Sequence, residues 1–283
     1  MPATGPFDLR AFDLRAVEQA IANTEFAGHL QHFHAVASTN GLALDAAKAG
    51  ARHGVWIADQ QTAGRGRGSH IWHSPAGDGL YMTALVAPAI PMQRALGLSF
   101  TTAIAVQSAI ASVAGFSIRD QIDIRWPNDL LLNGKKCGGI LIDTASNPAM
   151  STAPATLRYA VIGIGINVNH ASFPPEIDAI ATSLRRELPT PSKPLRREPL
   201  AVAILIALDQ EIRRLTSSLE PRTSDLTQYS SWISGKRVRV EARDDDPGGY
   251  TGITAGLNPS GFLLVHGDDG QLHTVLSGGL REP

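Results

Sequence analysis

The alternation of apolar and polar positions predicts mixed helices and strands over the first 220 residues of the chain. Within residues 12–26, Leu14, Val17 and Ile21 recur at the spacing of one helix face. The triplet Ser-Thr-Asn at 38–40 precedes a further helical stretch. These side chains are preferred helix caps, so one interpretation of the triplet is a plain cap. The other helices predicted from apolar spacing cover residues 41–54, 93–114 and 199–220.

Short apolar runs bounded by turn residues predict the strands of a sheet. Residues 122–144 hold two such runs on either side of Asn133-Gly134, the dipeptide that most favours a tight hairpin turn. We expect the apolar run at 157–169 to pair with this hairpin. Residues 185–198 contain several prolines and are predicted to be a loop. The remaining strands predicted in this part of the chain cover residues 30–37, 54–61 and 79–88.

After residue 220 the pattern changes to short strands joined by turns. Clusters of Asp, Asn, Pro and Gly at 243–249 and 258–261 provide the turn residues. A succession of short strands without helices is typical of a small β-barrel. We therefore predict two domains, a larger one over residues 1–225 and a small all-β one over 226–283. The four strands of the second domain are predicted at 235–242, 250–258, 261–268 and 271–278.

Composition is typical of a soluble globular protein. Of the 283 residues, 43% are hydrophobic and 18% are charged, and the formal net charge is −1. A dedicated nucleic-acid-binding protein usually has a clear basic excess, so this balance argues against one. The single cysteine, Cys137, excludes an internal disulfide and favours a reducing compartment. We expect no signal peptide at residues 1–10 and no membrane span at 96–115, where Ser, Thr and Gln interrupt the apolar run.

The stretch AGRGRGSHIWHSP at 63–75 combines flexible backbone with positive charge. Glycines allow a segment to approach a ligand closely, and Arg65 and Arg67 offer fork-shaped donors to a carboxylate or a phosphate. Taken alone, the stretch has two other interpretations. It also fits an arginine–glycine segment that binds nucleic acid, and an ordinary surface loop.

The segment WPNDLLLNGKKCGG carries a second group of candidate residues. Asn128 has an amide suited to the edge of a purine, and Asp129 suits either Mg²⁺ or the orientation of a lysine. Lys136 lies just beyond the hairpin turn, where a lone lysine is usually a solvated charge. Gly163 and Gly165 lie on one face of a later strand, a pattern typical of close approach by a ligand or of tight packing against a helix.

Six motifs occur in order along the chain: STN, QTAGRGR, a tryptophan followed by Ser-Pro, WPND, GKK before GGILID, and GIGINVN. In this order and spacing they are specific, and the chain resembles the biotin–protein ligases from about residue 34 to residue 169. The resemblance implies an α/β (α+β) fold. Its catalytic domain would be class II synthetase-like, with a mixed β-sheet backed by helices, and a small SH3-like β-barrel would follow at the C-terminus.

The resemblance also implies a two-step reaction. The carboxylate of biotin attacks the α-phosphate of MgATP to give biotinyl-5′-AMP, and a lysine of an acceptor protein then takes the biotinyl group and releases AMP. The implied cofactors are biotin as substrate, ATP and Mg²⁺. The implied partner is the biotin carboxyl carrier protein of acetyl-CoA carboxylase. We expect a cytoplasmic monomer or homodimer without a membrane partner, and without a DNA-binding role because only about 30 residues precede the first motif.

The site residues implied by the resemblance fall into overlapping groups. Those for biotin are Ser38, Thr39, Gln61, Gly64, Arg65, Arg67, Lys136, Gly139, Gly163 and Gly165. Those for ATP or the adenylate are Arg67, Trp72, Asn128, Lys136 and Asn167. The catalytic group is Lys136, Arg65, Arg67 and Asp129, and Asp129 is also the candidate metal ligand.

Alternatives and departures from the family pattern remain. A lipoate–protein ligase shares the implied fold and the adenylate chemistry, whereas a biotin-responsive repressor and an RNA-binding module belong to other classes. His70 stands where many relatives have an arginine that contacts ATP phosphates, and a neutral histidine is a weaker phosphate partner near pH 7. Arg125 replaces the usual lysine before WPND. The ending SGGLREP is shorter than the family's terminal strand, which leaves the role of Arg281 open.

Overall fold

The structure is a computed structural model that describes most of the chain. The predicted boundary between residues 225 and 226 lies outside the described residues, as does the segment 1–10 that we expect not to be a signal peptide. The predicted turn at 243–249 also lies outside them, apart from Gly249. The described residues are 12–68, 70–95, 97–116, 121–149, 154–188, 194–217, 228–241, 249–258, 260–276 and 279–283.

Seven strands form one mixed sheet. They are β1 (Leu30–Val36), β2 (Gly54–Gln61), β3 (Gly79–Val86), β4 (Ile122–Arg125), β5 (Asp129–Leu132), β6 (Lys135–Asn147) and β7 (Thr156–Asn167). Their order across the sheet is β1-β2-β3-β7-β6-β5-β4. β1 and β2 are parallel, and the other neighbouring pairs are antiparallel. The four single strands predicted in this region are confirmed to within two residues at their ends.

The hairpin predicted at Asn133-Gly134 is confirmed, and its turn joins β5 to β6. The two turn residues have positive φ values of 49° and 79°, a conformation that Asn and Gly adopt readily and that a two-residue hairpin needs. The predicted pairing with the later strand is also confirmed. β6 pairs with β7 in a register that sets Gly139 opposite Gly165 and Leu141 opposite Gly163. The glycines of the two strands therefore lie close together on the sheet.

Helices cover both faces of the sheet. They are α1 (Leu14–Ala20), α2 (Thr39–Lys48), α3 (Gly97–Ala114), α4 (Pro175–Asp178), α5 (Leu184–Glu187) and α6 (Glu198–Ser217). On one face α3 packs against α6, and α1 also contacts α6. On the other face α2 lies across β2, β3 and β7. The alternation along β2 serves both faces, because Val55 and Ile57 belong to the main core while Trp56 packs with the residues of α2.

Two helix boundaries differ from the sequence pattern. α1 ends at Ala20 rather than at residue 26, because the chain turns where the Thr24 hydroxyl donates to the Ile21 carbonyl at 2.8 Å. α2 begins at Thr39, inside the triplet interpreted as a cap, and ends before Gly50. Gly50 has a φ of 110°, which does not continue a helix.

The helix predicted at 93–114 is confirmed as α3, preceded by a short 3₁₀ turn over Met92–Arg94. By length and composition the segment Met92–Ala114 is apolar enough to cross a membrane, with a mean hydropathy of 1.5, but more than half of it is buried inside the protein. Ten of the residues of α3 are buried, and it packs against α6 and the sheet. This is the packing of a core helix.

The C-terminal part forms a second, antiparallel sheet, which we call the C-terminal module. Its strands are β8 (Ser234–Val240), β9 (Tyr250–Leu257), β10 (Leu263–Gly267), β11 (Leu272–Val275) and β12 (Leu280–Arg281). The four predicted strands are confirmed, and β12 is an addition that is too short to show a periodic pattern. The Ser230 hydroxyl donates to the Ile124 carbonyl at 2.6 Å, and Trp126 Nε1 donates to the Gly261 carbonyl at 3.3 Å. These bonds attach the module beside β4.

Candidate active site

A cleft of about 2220 Å³ opens between the main sheet and the C-terminal module. Its lining comes from the start of α2, the loop at 63–75, the β5–β6 hairpin and the glycines of β6 and β7. Each site residue predicted from the sequence lines this cleft except Gly64. A Cβ at Gly64 would lie 2.5 Å from the Trp72 carbonyl oxygen and 2.7 Å from the Ser74 hydroxyl oxygen. Gly64 is therefore needed for the close packing of the loop.

At the start of α2, polar groups line the cleft. Ser38 occupies the cap position, but its side chain makes no capping hydrogen bond. Gln61 Oε1 instead accepts hydrogen bonds from the Thr39 amide at 2.9 Å and from the Thr39 hydroxyl at 3.1 Å. Gln61 Nε2 donates to the Ser74 hydroxyl at 3.1 Å. The plain-cap interpretation is therefore wrong for Ser38, whose largely buried side chain lines the cleft.

Asn40 is a cleft residue that sequence reasoning did not single out. Its side chain is buried, and its Oδ1 accepts a hydrogen bond from the Thr83 hydroxyl at 2.6 Å. Its Nδ2 is buried without a hydrogen-bond partner among the described residues. A buried donor of this kind at the wall of a cleft suits an acceptor atom of a ligand. Asn40 is the third residue of the STN motif, so the sequence did contain a signal for it. That signal was missed because the triplet also fits a helix cap.

Asp129 bridges two cations at the hairpin. Its Oδ1 lies 2.5 Å from Lys136 Nζ, and its Oδ2 lies 2.6 Å from Arg125 Nη2. Burial alone would raise the pKa of Asp129, but the charges and hydrogen bonds of Lys136 and Arg125 outweigh burial and hold that pKa below its usual value. Asp129 is therefore ionised at neutral pH and orients the Lys136 ammonium. Beside it, Asn128 Nδ2 donates to the Ile140 carbonyl at 2.7 Å, which fixes the amide predicted to meet adenine.

The backbone of Lys136 is held by the segment that follows α4. The Lys136 amide donates to the Ile180 carbonyl at 2.8 Å, and the Lys136 carbonyl accepts from the Thr182 amide at 2.9 Å. Asn167 Nδ2 donates to the Thr182 carbonyl at 3.0 Å. One short segment therefore fixes both the candidate catalytic lysine and the asparagine predicted to reach the phosphate.

The indole of Trp72 covers two of the strand glycines. A Cβ on Gly165 would lie 2.5 Å from Trp72 Nε1, and a Cβ on Gly139 would lie 3.1 Å from a ring carbon. Lys136 Nζ lies 5.5 Å from the centre of the ring, within cation–π range. The space that the glycines were predicted to open for biotin thus holds the indole at these two positions. A ligand placed there requires Trp72 to move.

The glycine-rich loop forms a narrow hairpin at the rim of the cleft. The Gly66 amide donates to the His70 carbonyl at 2.8 Å. Arg65 and Arg67 both line the cleft. Ile71, at the same rim, is 85% exposed. The two arginines therefore line the same cleft as Lys136, Trp72 and the strand glycines.

His170 follows β7 and is buried among aromatic side chains beside the cleft. Its ring stacks on that of Phe173 with centroids 5.0 Å apart, and the His73 ring lies at 5.9 Å. Its Nε2 lies 3.5 Å from the Tyr81 hydroxyl oxygen. Burial, together with His73, lowers the pKa of His170 to about 4. His170 is therefore neutral in the folded protein at neutral pH.

Acidification from pH 7 to pH 4 should destabilise the protein through His170. An unfolded histidine titrates near pH 6.5, whereas the folded pKa is about 4. Between these values the unfolded chain binds a proton that the folded chain does not, so the free energy of unfolding falls as the pH falls. The full effect is about 3 kcal/mol. Urea unfolding across this range should show a shallower fall for His170→Gln than for the wild type, and equal slopes would contradict the assignment.

Comparisons with known proteins agree with this geometry. A model of the biotin/lipoate A/B protein ligase family matches residues 34–167, and a model of the biotin protein ligase C-terminal domain matches residues 233–278. The bifunctional ligase/repressor BirA of Bacillus spizizenii is 35% identical over 252 residues, which are 87% of this chain and 72% of that protein. The chain belongs to the biotin protein ligase family.

Other members of the biotin protein ligase family match over most of their length. The biotin–[acetyl-CoA-carboxylase] ligase of Mycobacterium tuberculosis is 32% identical over 247 residues, which are 86% of this chain and 84% of that protein. The structure of biotin protein ligase from Aquifex aeolicus in complex with biotin and ATP has a TM-score of 0.71 and 25% identity, and covers 90% of this chain and 100% of that one. The expected fold, a mixed sheet backed by helices with a small β module, is therefore confirmed.

The C-terminal module of this biotin protein ligase family member also contributes to the cleft. Lys236 Nζ lies 4.8 Å from the ring centre of Trp232, and the Arg125 guanidinium lies 5.6 Å from the same ring. Arg281 on β12 pairs with Glu241 at 2.7 Å, so the chain end that looks abbreviated still reaches the cleft. Sequence reasoning missed Trp232 and Lys236 because nothing local marks which edge of a small barrel will face a neighbouring domain.

Among the described residues, no group of three or more His, Cys, Asp and Glu side chains is placed to hold a metal ion. Asp129 was the candidate metal ligand. Each of its carboxylate oxygens already lies next to a cation, Lys136 or Arg125. The structure therefore supports the orienting role of Asp129 and gives its metal-binding role no support.

Proposed function

We propose that this protein activates biotin with ATP to biotinyl-5′-AMP and then transfers the biotinyl group to a lysine of a biotin carboxyl carrier protein. The observation that carries the proposal is the convergence, in one cleft, of a polar pocket at the start of α2, a cationic loop and an oriented lysine. The relative named biotin–[acetyl-CoA-carboxylase] ligase and the related structure with biotin and ATP support it.

The α2 end of the cleft suits the ureido ring of biotin. That ring offers two N–H donors and one carbonyl acceptor, so it needs both kinds of partner. Ser38 and Thr39 carry hydroxyl groups, which can act as donor or as acceptor, and Asn40 Nδ2 adds a buried donor. Gly163 lies directly opposite Asn40, where a side chain would overlap the amide. We therefore place the bicyclic end of biotin at Asn40 and Gly163, with its carboxylate toward Lys136.

In the first step, a carboxylate oxygen of biotin attacks the α-phosphorus of ATP. The bond from that phosphorus to the oxygen leading to the β-phosphorus breaks, and pyrophosphate leaves. Both reactants are anions, so cations have to offset their repulsion as they meet. Lys136 supplies the central charge, held by Asp129 at 2.5 Å, and Arg67 supplies charge from the loop. The biotin carboxylate is already ionised at neutral pH, so no general base is required.

In the second step, the amine of the acceptor lysine attacks the acyl carbon of biotinyl-AMP. The acyl–oxygen bond breaks, AMP leaves with its phosphate charge, and the new amide nitrogen loses a proton to solvent. Until the acceptor arrives, the mixed anhydride has to be protected from water. The glycine-rich loop lies at the rim of the cleft and suits this protective role.

We place Mg²⁺ with ATP, as part of the nucleotide substrate rather than on a carboxylate of the protein. The hard oxygen ligands that Mg²⁺ prefers are then phosphate oxygens and water. The ion would neutralise charge on the departing pyrophosphate. In this arrangement the residues of the chain position the nucleotide and its anions, and Asp129 remains paired with Lys136 and Arg125.

Pyrophosphate release distinguishes the proposed function from its nearest alternative. The purified protein with ATP and Mg²⁺ should release pyrophosphate when biotin is supplied, and much less when lipoate is supplied at the same concentration. The polar pocket at the start of α2 favours this result, because lipoate has no ureido ring to bind there. A clear preference for lipoate would contradict the choice of acid and leave the adenylate chemistry intact.

Gly163→Ala should weaken biotin binding by about tenfold or more, because burying an unpaired polar group costs roughly 1–3 kcal/mol. The new methyl group would overlap the Asn40 amide and displace it from its bond with Thr83. Isothermal titration calorimetry measures the change. The matched control is Gly97→Ala in α3, where a Cβ makes only an ordinary contact with Leu215 at 3.8 Å. Unchanged biotin affinity in Gly163→Ala would mean that biotin does not lie against Asn40.

Several sequence predictions about the biology of the protein stay predictions. They are the cytoplasmic location, the monomeric or homodimeric state, and the absence of DNA and membrane partners. The acceptor is proposed from the name of the Mycobacterium tuberculosis relative, a biotin–[acetyl-CoA-carboxylase] ligase. The carrier domain of a biotin-dependent carboxylase is accordingly the substrate to test first.

A further inference from the structure

Asp143 on β6 lies next to the candidate active site but takes no part in the proposed reaction. Side chains alternate along a strand, so Gly139, Leu141 and Asp143 lie on the same face of the sheet. Gly139 and Leu141 line the cleft. Asp143 therefore continues the substrate face beyond the glycines, toward the end of the cleft covered by the loop.

The carboxylate of Asp143 faces Arg65 of the glycine-rich loop. Arg65 Nη1 lies 3.7 Å from Asp143 Oδ2. That distance makes an ion pair but is too long for a hydrogen bond. Asp143 Oδ2 is buried, and among the described residues it has no hydrogen-bond partner. A buried carboxylate oxygen without a donor is costly, so the site favours a closer approach of the guanidinium.

The geometry of a guanidinium allows Arg65 to bind two acceptors at once. It carries five N–H donors in a rigid plane, so one edge can meet Asp143 while another meets a ligand. The Arg65 side chain is 49% exposed, whereas the Asp143 side chain is 31% exposed and lies on a strand. The strand residue is therefore the fixed partner and the loop residue is the one free to adjust.

We propose that Asp143 is a positioning residue for Arg65: by pairing with its guanidinium, Asp143 draws the glycine-rich loop toward the sheet and holds the loop over the bicyclic end of the bound substrate. The ion pair becomes a hydrogen-bonded pair when the loop closes. Asp143 touches neither substrate and acts only through Arg65. The inference rests on the proposed function, because it assigns the loop to retention of biotinyl-AMP.

The simplest competing explanation is a surface ion pair without functional effect. Exposed pairs typically contribute little to stability and are screened by salt. Two observations separate Asp143 from that class: its Oδ2 is buried, and its partner lies on the loop that lines the cleft. The chain offers a matched control in Asp268, whose carboxylate pairs with Arg237 at 2.7 Å on the C-terminal module, away from the cleft lining.

The test measures the dissociation rate of chemically prepared biotinyl-AMP from the full-length protein. Asp143→Asn keeps the size of the side chain and should speed dissociation by about tenfold, in keeping with the loss of a charge-assisted hydrogen bond. Asp143→Glu should recover part of the loss, and Asp268→Asn should match the wild type. Thermal midpoints recorded for all variants separate this effect from general destabilisation.

The Arg65→Ala background shows whether Asp143 acts through Arg65. In that background, Asp143→Asn should change the dissociation rate less than twofold, because neighbouring residues that act together are not additive. The same tenfold effect in both backgrounds, or no effect in the single variant, would overturn the inference. These outcomes differ from failure of the proposed function, which would appear as a wild-type protein that releases no pyrophosphate with biotin, ATP and Mg²⁺.

Discussion

Replacing Lys136 with alanine should lower the rate of biotinyl-AMP formation by about 10²–10³, roughly 3–4 kcal/mol of lost transition-state stabilisation. The ammonium is held by Asp129 at the place where the carboxylate and the α-phosphate are proposed to meet. Charge concentrates there only as the anhydride forms, so Lys136 acts mainly on the transition state. The ureido end of biotin is proposed to be held elsewhere, at Ser38, Thr39 and Gln61, so biotin affinity should change little. Pyrophosphate release and calorimetry on the same variant measure the two effects separately.

The chain supplies a matched control for this prediction in the adjacent residue. Lys135 is exposed, whereas Asp129 pairs with Lys136. Lys135→Ala removes the same charge from the same hairpin and should leave adenylate formation close to that of the wild type. Lys136→Arg should not restore full activity, because a planar guanidinium does not fit where a compact ammonium sits.

Supplying the intermediate separates the two half-reactions of the Lys136→Ala variant. Chemically prepared biotinyl-AMP bypasses the first step, so transfer to the carrier should recover much of its rate. A loss confined to biotin affinity, with adenylate formation intact at saturating biotin, would contradict the role given to Lys136. It would reduce this lysine to a ligand-binding or surface residue.

Arg67→Gly should release biotinyl-AMP about 10–100 times faster than the wild type, the range expected when a hydrogen bond to a charged group is lost. Arg67 lies on the glycine-rich loop and lines the cleft. Its positive charge should favour closure of the loop when an anionic ligand is bound. Glycine removes that charge and adds backbone freedom. Escaped adenylate is a reactive acyl donor, so it should label lysines of bystander proteins.

Bystander labelling gives this prediction a direct measurement. Serum albumin mixed with the Arg67→Gly variant, biotin and MgATP should gain biotin on many lysines, whereas the wild type should label it little. Arg67→Lys keeps the charge and should give intermediate labelling. Equal acceptor selectivity in the wild type and Arg67→Gly would show that Arg67 does not retain the adenylate.

The sequence predicted best where the signal is local. The turn at Asn133-Gly134 requires positive φ, and few dipeptides other than Asn-Gly satisfy it so readily, so the hairpin that carries Lys136 followed from the pattern alone. β2 was predicted with its bounds as observed. Its apolar run begins after Gly54 and ends in the polar residues Asp59, Gln60 and Gln61, just before the glycine-rich loop. The pairing of the hairpin with β7 was predicted because β7 is an apolar strand.

The parts that the sequence did not predict depend on which distant segments meet. Asn40 looked like the last residue of a cap, and only the packing of α2 against β7 shows that it faces Gly163. Trp72 was assigned to the adenylate side, but the structure stacks it over Gly139 and Gly165. Asp143 is the last residue of the GGILID motif, but nothing in that motif marks its position beside Arg65, which arises from the fold of the loop. Such contacts have no sequence period and therefore no local signal.

The central claim is that this cleft makes biotinyl-AMP and delivers the biotinyl group to one carrier lysine. Intact-protein mass spectrometry of a biotin carboxyl carrier domain, incubated with this protein, biotin, ATP and Mg²⁺, tests that claim most directly. We expect a mass increase of one biotinyl group that requires all three small molecules and disappears when the acceptor lysine of the carrier is replaced by arginine. An unchanged mass for a competent carrier at saturating substrates would contradict it.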